Sequence, residues 1–271
     1  MSPDRASRAS RAAGAVTGRA RQVARAGGFL GLTAAMLPAF LARMAATSDT
    51  DREVVRDAWV GRWARSLLGL FSIEVVVEGV VPPPTQGRGR GRLVVTNHRS
   101  AIDVGVVLAT FGGTMVSRAD LAGWPVLGKA ARSVGTVFVD RSSAKSGAAT
   151  IRAIQKHLEE GQTINLFPEG TTFGGDEVRP FHGGAFIAAA RAEAEIVPVG
   201  IAYPQDSGAA FLNETFPAHL ARMSKSGATR MVVCVGEPFI ARKSDRATDV
   251  TKRAHAEVQA LVHRARERCG P

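Results

Sequence analysis

A histidine stands five residues ahead of an aspartate in Asn97-His98-Arg99-Ser100-Ala101-Ile102-Asp103. The string leaves an apolar run, LVVTN, and enters a stretch of helical spacing. Across such a turn Asp103 can accept a hydrogen bond from one imidazole nitrogen, fix the tautomer and leave the other nitrogen as a general base. That is the base-and-orienter half of a catalytic triad. No serine or cysteine nucleophile in a GxSxG setting accompanies it, so the substrate has to bring the hydroxyl that His98 activates. The same residues also read as a helix start, with Ser100 or Asn97 as N-cap and His98 an incidental polar residue. Spacing alone leaves the two readings open.

Two more strings follow strand-like runs. In Phe167-Pro168-Glu169-Gly170-Thr171-Thr172, Pro168 stops the strand, Gly170 permits a tight backbone and the threonines offer hydroxyls. Glu169 there suits a polyol hydroxyl or can hold an arginine; alone, the string is only a turn. Gly135 to Arg141 ends in an arginine just past a strand. Arg141 suits a bidentate phosphate contact, or an ordinary surface ion pair. No GxGxxG or GxxxxGK[ST] string appears, so no nucleotide-phosphate loop is indicated. The two cysteines, Cys234 and Cys269, make neither a disulfide framework nor a zinc pair.

These strings need strand ends to carry them, and the pattern supplies them. Apolar, β-branched runs read as strands at IEVVVEG, LVVTN, GTMVS, Thr136–Asp140, Thr163–Phe167, EIVPVGIAY and RMVVCVG. Helical spacing lies between them at Ala101–Thr110, Ser146–Glu159 and Gly183–Ala194, and again at Asp249–Arg268. Alternation of this kind predicts an α/β fold with a mostly parallel sheet covered by helices.

The first third of the chain differs. Six arginines and one acid fall within Met1–Ala26, then Ala26 to Ala42 carries no charge. That run is shorter than the roughly 20 residues a span needs, and it contains Pro38. It reads as a helix lying in the cytoplasmic leaflet, its arginines on anionic headgroups. Between Ala58 and Ile73, Trp59, Trp63, Leu67 and Leu70 share a helix face, which suits either the headgroup region or an ordinary core. The whole chain of 271 residues carries +11, with 35 Lys+Arg against 24 Asp+Glu. Such a surface favours a polyanion, and an aromatic content of 6% gives little support to base stacking on nucleic acid.

Taken together the strings are specific. The chain resembles the glycerolipid acyltransferases of the lysophosphatidic acid acyltransferase family, which carry four ordered blocks. NHRSAID resembles the NHxSxxD block, GTVFVDR the second, FPEGTT the third, and Ile196-Val197-Pro198-Val199-Gly200 the fourth. The resemblance implies transfer of an acyl chain from acyl-CoA or acyl-carrier protein to the free hydroxyl of a lysophospholipid, without metal or cofactor. It implies His98 as base, Asp103 as its partner, and Asn97 and Ser100 as shapers of the turn. It places Arg141 on the acceptor phosphate, Glu169, Gly170 and Thr171 in the acceptor site, and Pro198 in the wall of the acyl site. The family's Phe-Lys-x-Gly is here Phe181-His182-Gly183-Gly184, so His182, or Arg179, supplies the missing charge. The expected organisation is a membrane-associating segment over 1–72, a catalytic domain over 73–240 and an amphipathic helix over 241–271. The expected acceptor is lysophosphatidic acid, with another lysolipid such as a lyso-aminolipid as the alternative. A non-catalytic membrane-binding protein is the rival from another class. Oxyanion donors are expected among backbone N–H groups near the strand ends.

Overall fold

The computed structural model describes residues 3–85, 89–140, 144–205, 207–212 and 214–269, and the side chains of the first helix from Gly18 onward. The strands are β1 (Ile73–Glu78), β2 (Arg92–Thr96), β3 (Thr114–Arg118), β4 (Val137–Val139), β5 (Thr163–Leu166), β6 (Glu195–Ala202), β7 (Thr229–Val235) and β8 (Phe239–Ile240). They form one sheet in the order β1-β7-β6-β2-β5-β3-β4, with β8 beside β6. All pairs are parallel except β6–β7 and β6–β8. The expected mixed α/β sheet is present, and the catalytic strings leave the ends of its central strands β2 and β5.

The helices are α1 (Pro3–Ala45), α2 (Arg52–Leu70), α3 (Asp103–Phe111), α4 (Leu127–Ser133), α5 (Ala144–Glu159), α6 (Gly184–Arg191), α7 (Phe216–Met223) and α8 (Ala247–Cys269). Strand alternation sorts them into two layers. Val94 of β2 joins Val60, Ala64 and Leu68 of α2 and Val106 and Val107 of α3. Its neighbours Leu93 and Val95 join Ile154 and Leu158 of α5, Phe186 of α6 and Val258 of α8 on the other face. The C-terminal helix is therefore part of the body. At Gly200 of β6 a Cβ would sit 2.3 Å from the backbone of Leu261, so only glycine lets α8 lie this close.

The first third departs from its expected arrangement. α1 runs unbroken through Pro38, and Gly18–Ala45 is long and apolar enough to cross a bilayer by length and composition. Arg25 was expected on headgroups, but it is buried, 5% exposed. It donates to the carbonyls of Leu70 and Ser226 (3.0 and 2.7 Å), to those of Met223 and Ser224, and to the Ser72 hydroxyl. A guanidinium with five donors can satisfy a cluster of helix-end carbonyls that apolar residues cannot. Trp59 and Trp63 turn toward α1: the Trp63 indole donates to Thr33 Oγ1 at 3.0 Å and Trp59 packs on Phe40. What α1 leaves outside is a stripe of Val23, Leu30 and Leu41, exposed by 73%, 51% and 42%. Seven and eleven residues apart, they fall on one helix face.

Candidate active site

The turn between β2 and α3 builds the site. Asn97 ends the strand and is fully buried, its amide bonded both ways to the backbone of Ile201 (2.9 and 2.8 Å). This ties β2 to β6. His98 follows. Its Nδ1 lies 2.9 Å from Asp103 Oδ2, and the same oxygen accepts the amides of Arg99 (2.7 Å) and Ser100 (2.8 Å). The other oxygen, Oδ1, accepts the hydroxyl of Tyr203, the single tyrosine of the chain. Burial and the Asp103 charge push the Tyr203 phenol well above its usual range, so it remains a donor. A carboxylate is acceptor-only, so the proton sits on Nδ1 and Nε2 keeps its lone pair. Nε2 has no hydrogen-bond partner among the described residues, and the side chain keeps 17% exposure. The ring is stacked on Phe167 at 4.0 Å, which fixes its plane. Of the two sequence readings, the base-and-orienter geometry is the one present. No N-cap side chain serves α3.

Glu169 holds the neighbouring turn. Its carboxylate is fully buried and pairs with Arg99, itself 4% exposed by side chain, at 2.7 Å. Oε1 also accepts the His98 amide at 2.8 Å, and Oε2 the Arg179 amide at 2.8 Å. Arg99 spends its other N–H groups on the carbonyls of His98, Gly175 and Glu177 (2.9, 2.6 and 2.9 Å). The expected acceptor contact of Glu169 is thus replaced by the alternative the sequence allowed, an arginine. Gly170 turns the chain with φ +80°, a region that favours glycine.

The other expected site residues fall in several places. Ser100 is fully buried behind the turn, with its hydroxyl 3.1 Å from His219 Nε2. Arg141 lies outside the described residues. Arg179 and His182 are exposed; Arg179 stacks over Phe173 at 5.3 Å, and the His182 amide donates to the Pro168 carbonyl at 2.9 Å. Pro198 is buried on the α8 side of β6, where its Cγ approaches Gly236 beside Leu261. It does not line the apolar cavity beside the His98 turn: side chains two residues apart share a face, and Gly200 faces α8 as well.

One cavity adjoins the β2–α3 turn and a second adjoins the Gly170 turn. One, of about 260 Å³, is apolar, and Ala101 and Ile102 of the turn line it. α1 gives it Phe29, Met36 and Phe40; α2 gives Trp59, Trp63 and Leu67. α3, β3 and α4 close it with Leu108, Met115 and Ala130. The other, of about 390 Å³, has charged residues in its lining: Arg118, Asp120 and Asp140, beside Gly170 and Thr171. β3 feeds both, with Ser117 in the first and Arg118 in the second. Arg118 makes a two-pronged pair with Asp120 (3.0 and 3.1 Å).

Comparison with known proteins places this geometry. A family model described as Acyltransferase matches residues 73–202. A 1-acyl-sn-glycerol-3-phosphate acyltransferase of Neisseria gonorrhoeae is 32% identical over 139 residues, 51% of this chain and 54% of that protein. A lyso-ornithine lipid O-acyltransferase of Brucella abortus is 31% identical over 192 residues, 64% of this chain and 72% of that protein. The chain belongs to the lysophosphatidic acid acyltransferase family. A lyso-ornithine lipid O-acyltransferase of Pseudomonas aeruginosa is 29% identical over 251 residues, 90% of this chain and 94% of that protein. The fold matches the crystal structure of the 1-acyl-sn-glycerophosphate acyltransferase of Thermotoga maritima, with TM-score 0.70 and 18% identity over 94% of this chain and 97% of that one.

For an acyltransferase of this family the unexpected residues are as informative as the expected ones. Arg99, Tyr203 and Phe167 set the aim of the dyad, and sequence reading missed all three roles. Tyr203 was readable only as an apolar strand end. α1 supplies a cavity wall from the run that the sequence presented as lipid-facing.

Proposed function

We propose that this acyltransferase moves an acyl chain from acyl-CoA or acyl-carrier protein to the free hydroxyl of a lysolipid. The observation that carries the reading is the His98–Asp103 dyad, with its free Nε2, in a turn that lines the apolar cavity. The acceptor hydroxyl gives its proton to Nε2 as its oxygen attacks the thioester carbonyl. The tetrahedral oxyanion collapses, the C–S bond breaks and the thiolate takes the proton back from the imidazolium, leaving an ester and a thiol. A positioned base is worth about 10²–10⁴ in rate, and alignment of two substrates at least as much. Oxyanion donors come from outside the turn. The amides of His98 to Asp103 are all engaged, by Glu169, Asp103, His219 Nε2, and the Ser100 hydroxyl and carbonyl. The apolar cavity suits the acyl chain and the one lined by Arg118, Asp120 and Asp140 the head group.

Lysophosphatidic acid is the acceptor of this reading, its phosphate taken by Arg118 and, by family resemblance, Arg141. A second reading is favoured by the carboxylates of Asp120 and Asp140 in the same cavity: an acceptor with an ammonium head group, as the names of the Pseudomonas and Brucella relatives suggest. Equimolar competition between lysophosphatidic acid and a lyso-aminolipid, read by mass spectrometry, decides. Preferred acylation of lysophosphatidic acid, with its KM raised in Arg118→Ala, supports the first. Preferred acylation of the aminolipid, with loss in Asp120→Asn, supports the second.

The protein works on the cytoplasmic face of the cell membrane as a peripheral or monotopic enzyme, with the Val23/Leu30/Leu41 stripe of α1 in the headgroup boundary and arginines near anionic lipid. Leu30→Glu with Leu41→Glu is expected to weaken co-sedimentation with anionic vesicles at least tenfold. Equal binding by the double variant contradicts this placement.

A further inference from the structure

Behind the catalytic turn stands a second histidine that the reaction itself does not use. His219 lies in the middle of α7 and is 1% exposed. Its Nε2 lies 3.2 Å from the Ala101 amide and 3.1 Å from the Ser100 hydroxyl. An amide can only donate, so Nε2 must be the lone-pair nitrogen and Nδ1 must carry the proton. Glu214 Oε1 accepts that proton at 2.9 Å. Arg222 Nη2 also lies 3.0 Å from Nδ1, but its N–H groups go to Glu214 at 2.5 Å and to the Ala210 carbonyl at 2.6 Å. The Arg222 hydrogen bonds hold the Glu214 carboxyl down at about 2, and burial lowers the His219 imidazole, so the pair is anion and neutral ring.

This arrangement mirrors the catalytic dyad. In each, a carboxylate holds Nδ1–H and leaves Nε2 as acceptor. In the first the acceptor faces the reaction; in the second it faces the backbone of the turn. We propose that His219, oriented by Glu214, is a positioning residue that sets the aim of the His98–Asp103 dyad by holding the Ala101 amide and Ser100 hydroxyl. The logic is geometric. Asp103 is aimed by the amides of Arg99 and Ser100, and those amides lie where the next peptide, at Ala101, is held. α7 can act as a fixed post because its far end is tied to α1, by Arg25 on the carbonyls of Met223, Ser224 and Ser226. The proposal rests on the acyl-transfer reading for its kinetic consequence, but not for its structural one.

The test uses the full chain with His219→Ala and His219→Gln, assayed on a lysolipid with acyl-CoA. A misplaced dyad costs on the order of 10²-fold, so kcat of His219→Ala is expected to fall by about that much, with both KM values nearly unchanged. His219→Gln, whose side-chain carbonyl can accept the same amide, is expected to recover most of the loss. Unchanged kcat in His219→Ala, a loss confined to KM, or no rescue by glutamine overturns the proposal. If His219→Ala does not fold, Ser100→Ala removes half of the same contact, and wild-type kcat in that variant overturns it too. Hydrogen exchange of the 98–103 peptide gives a readout independent of turnover. It is expected to quicken in His219→Ala or Ser100→Ala while β6 stays protected, and unchanged exchange overturns the proposal. A wild-type chain that moves no acyl group contradicts the acyl-transfer reading instead, and the exchange result then decides this inference alone.

Discussion

His98→Ala is expected to cut kcat by about 10²–10⁴, the usual worth of a positioned general base, with the fold and both KM values retained. The basis is the single free nitrogen of the dyad. Nδ1 is held at 2.9 Å by Asp103, and Asp103 is saturated by two amides and the Tyr203 hydroxyl, so only Nε2 can take a proton from an acceptor. The ring packs on Phe167 but makes no backbone bond, so its removal costs packing and not the turn. Asp103→Asn is expected to be slow for a different reason. The amides of Arg99 and Ser100 keep its carbonyl oxygen at the Oδ2 position, where it still accepts Nδ1–H, but the NH₂ then faces the Tyr203 hydroxyl and the imidazolium loses its counter-charge. Steady-state kinetics beside circular dichroism checks both. Near-normal turnover in a folded His98→Ala protein removes His98 from the mechanism.

Glu169→Ala is expected to damage stability and activity together. It strands the Arg99 guanidinium, 4% exposed by side chain, without a counter-charge, and it leaves the His98 and Arg179 amides without their acceptor. Removing one partner of a buried pair costs about 3–5 kcal/mol, a large share of the 5–15 kcal/mol that holds a typical protein folded. The melting temperature should fall on the order of 10 °C. Glu169→Gln keeps the shape and loses the charge, and should fall between. Had Glu169 faced the acceptor, as FPEGTT first suggested, the signature would be a raised acceptor KM with an unchanged melting temperature. That outcome contradicts the clamp.

The strands were legible because each is a short β-branched run closed by a turn signal, and all seven long enough to read lie within a residue or two of their expected bounds. The dyad was legible because its members sit five apart on one turn. What escaped were contacts between segments far apart in sequence. Tyr203 meets Asp103 across 100 residues and His219 meets Ser100 across 119, and no spacing rule reaches that far. α7 itself was missed because its eight residues, with a proline in the first turn, give the helical pattern only about two turns to show. Arg25 was misplaced, and the two tryptophans were left open between lipid and core, for a shared reason. A basic, apolar helix and a Trp-bearing helix look alike whether they face lipid or each other, and here they face each other around a cavity.

The most direct test of the account is a paired measurement on the wild-type chain in vesicles. Thiol release from acyl-CoA or acyl-carrier protein is followed together with the appearance of the acylated lipid. The account predicts equal amounts of free thiol and new ester, dependent on a lysolipid with a free hydroxyl and lost in His98→Ala. Thiol release without acylated lipid, or no transfer to any lysolipid by folded, vesicle-bound protein, contradicts it.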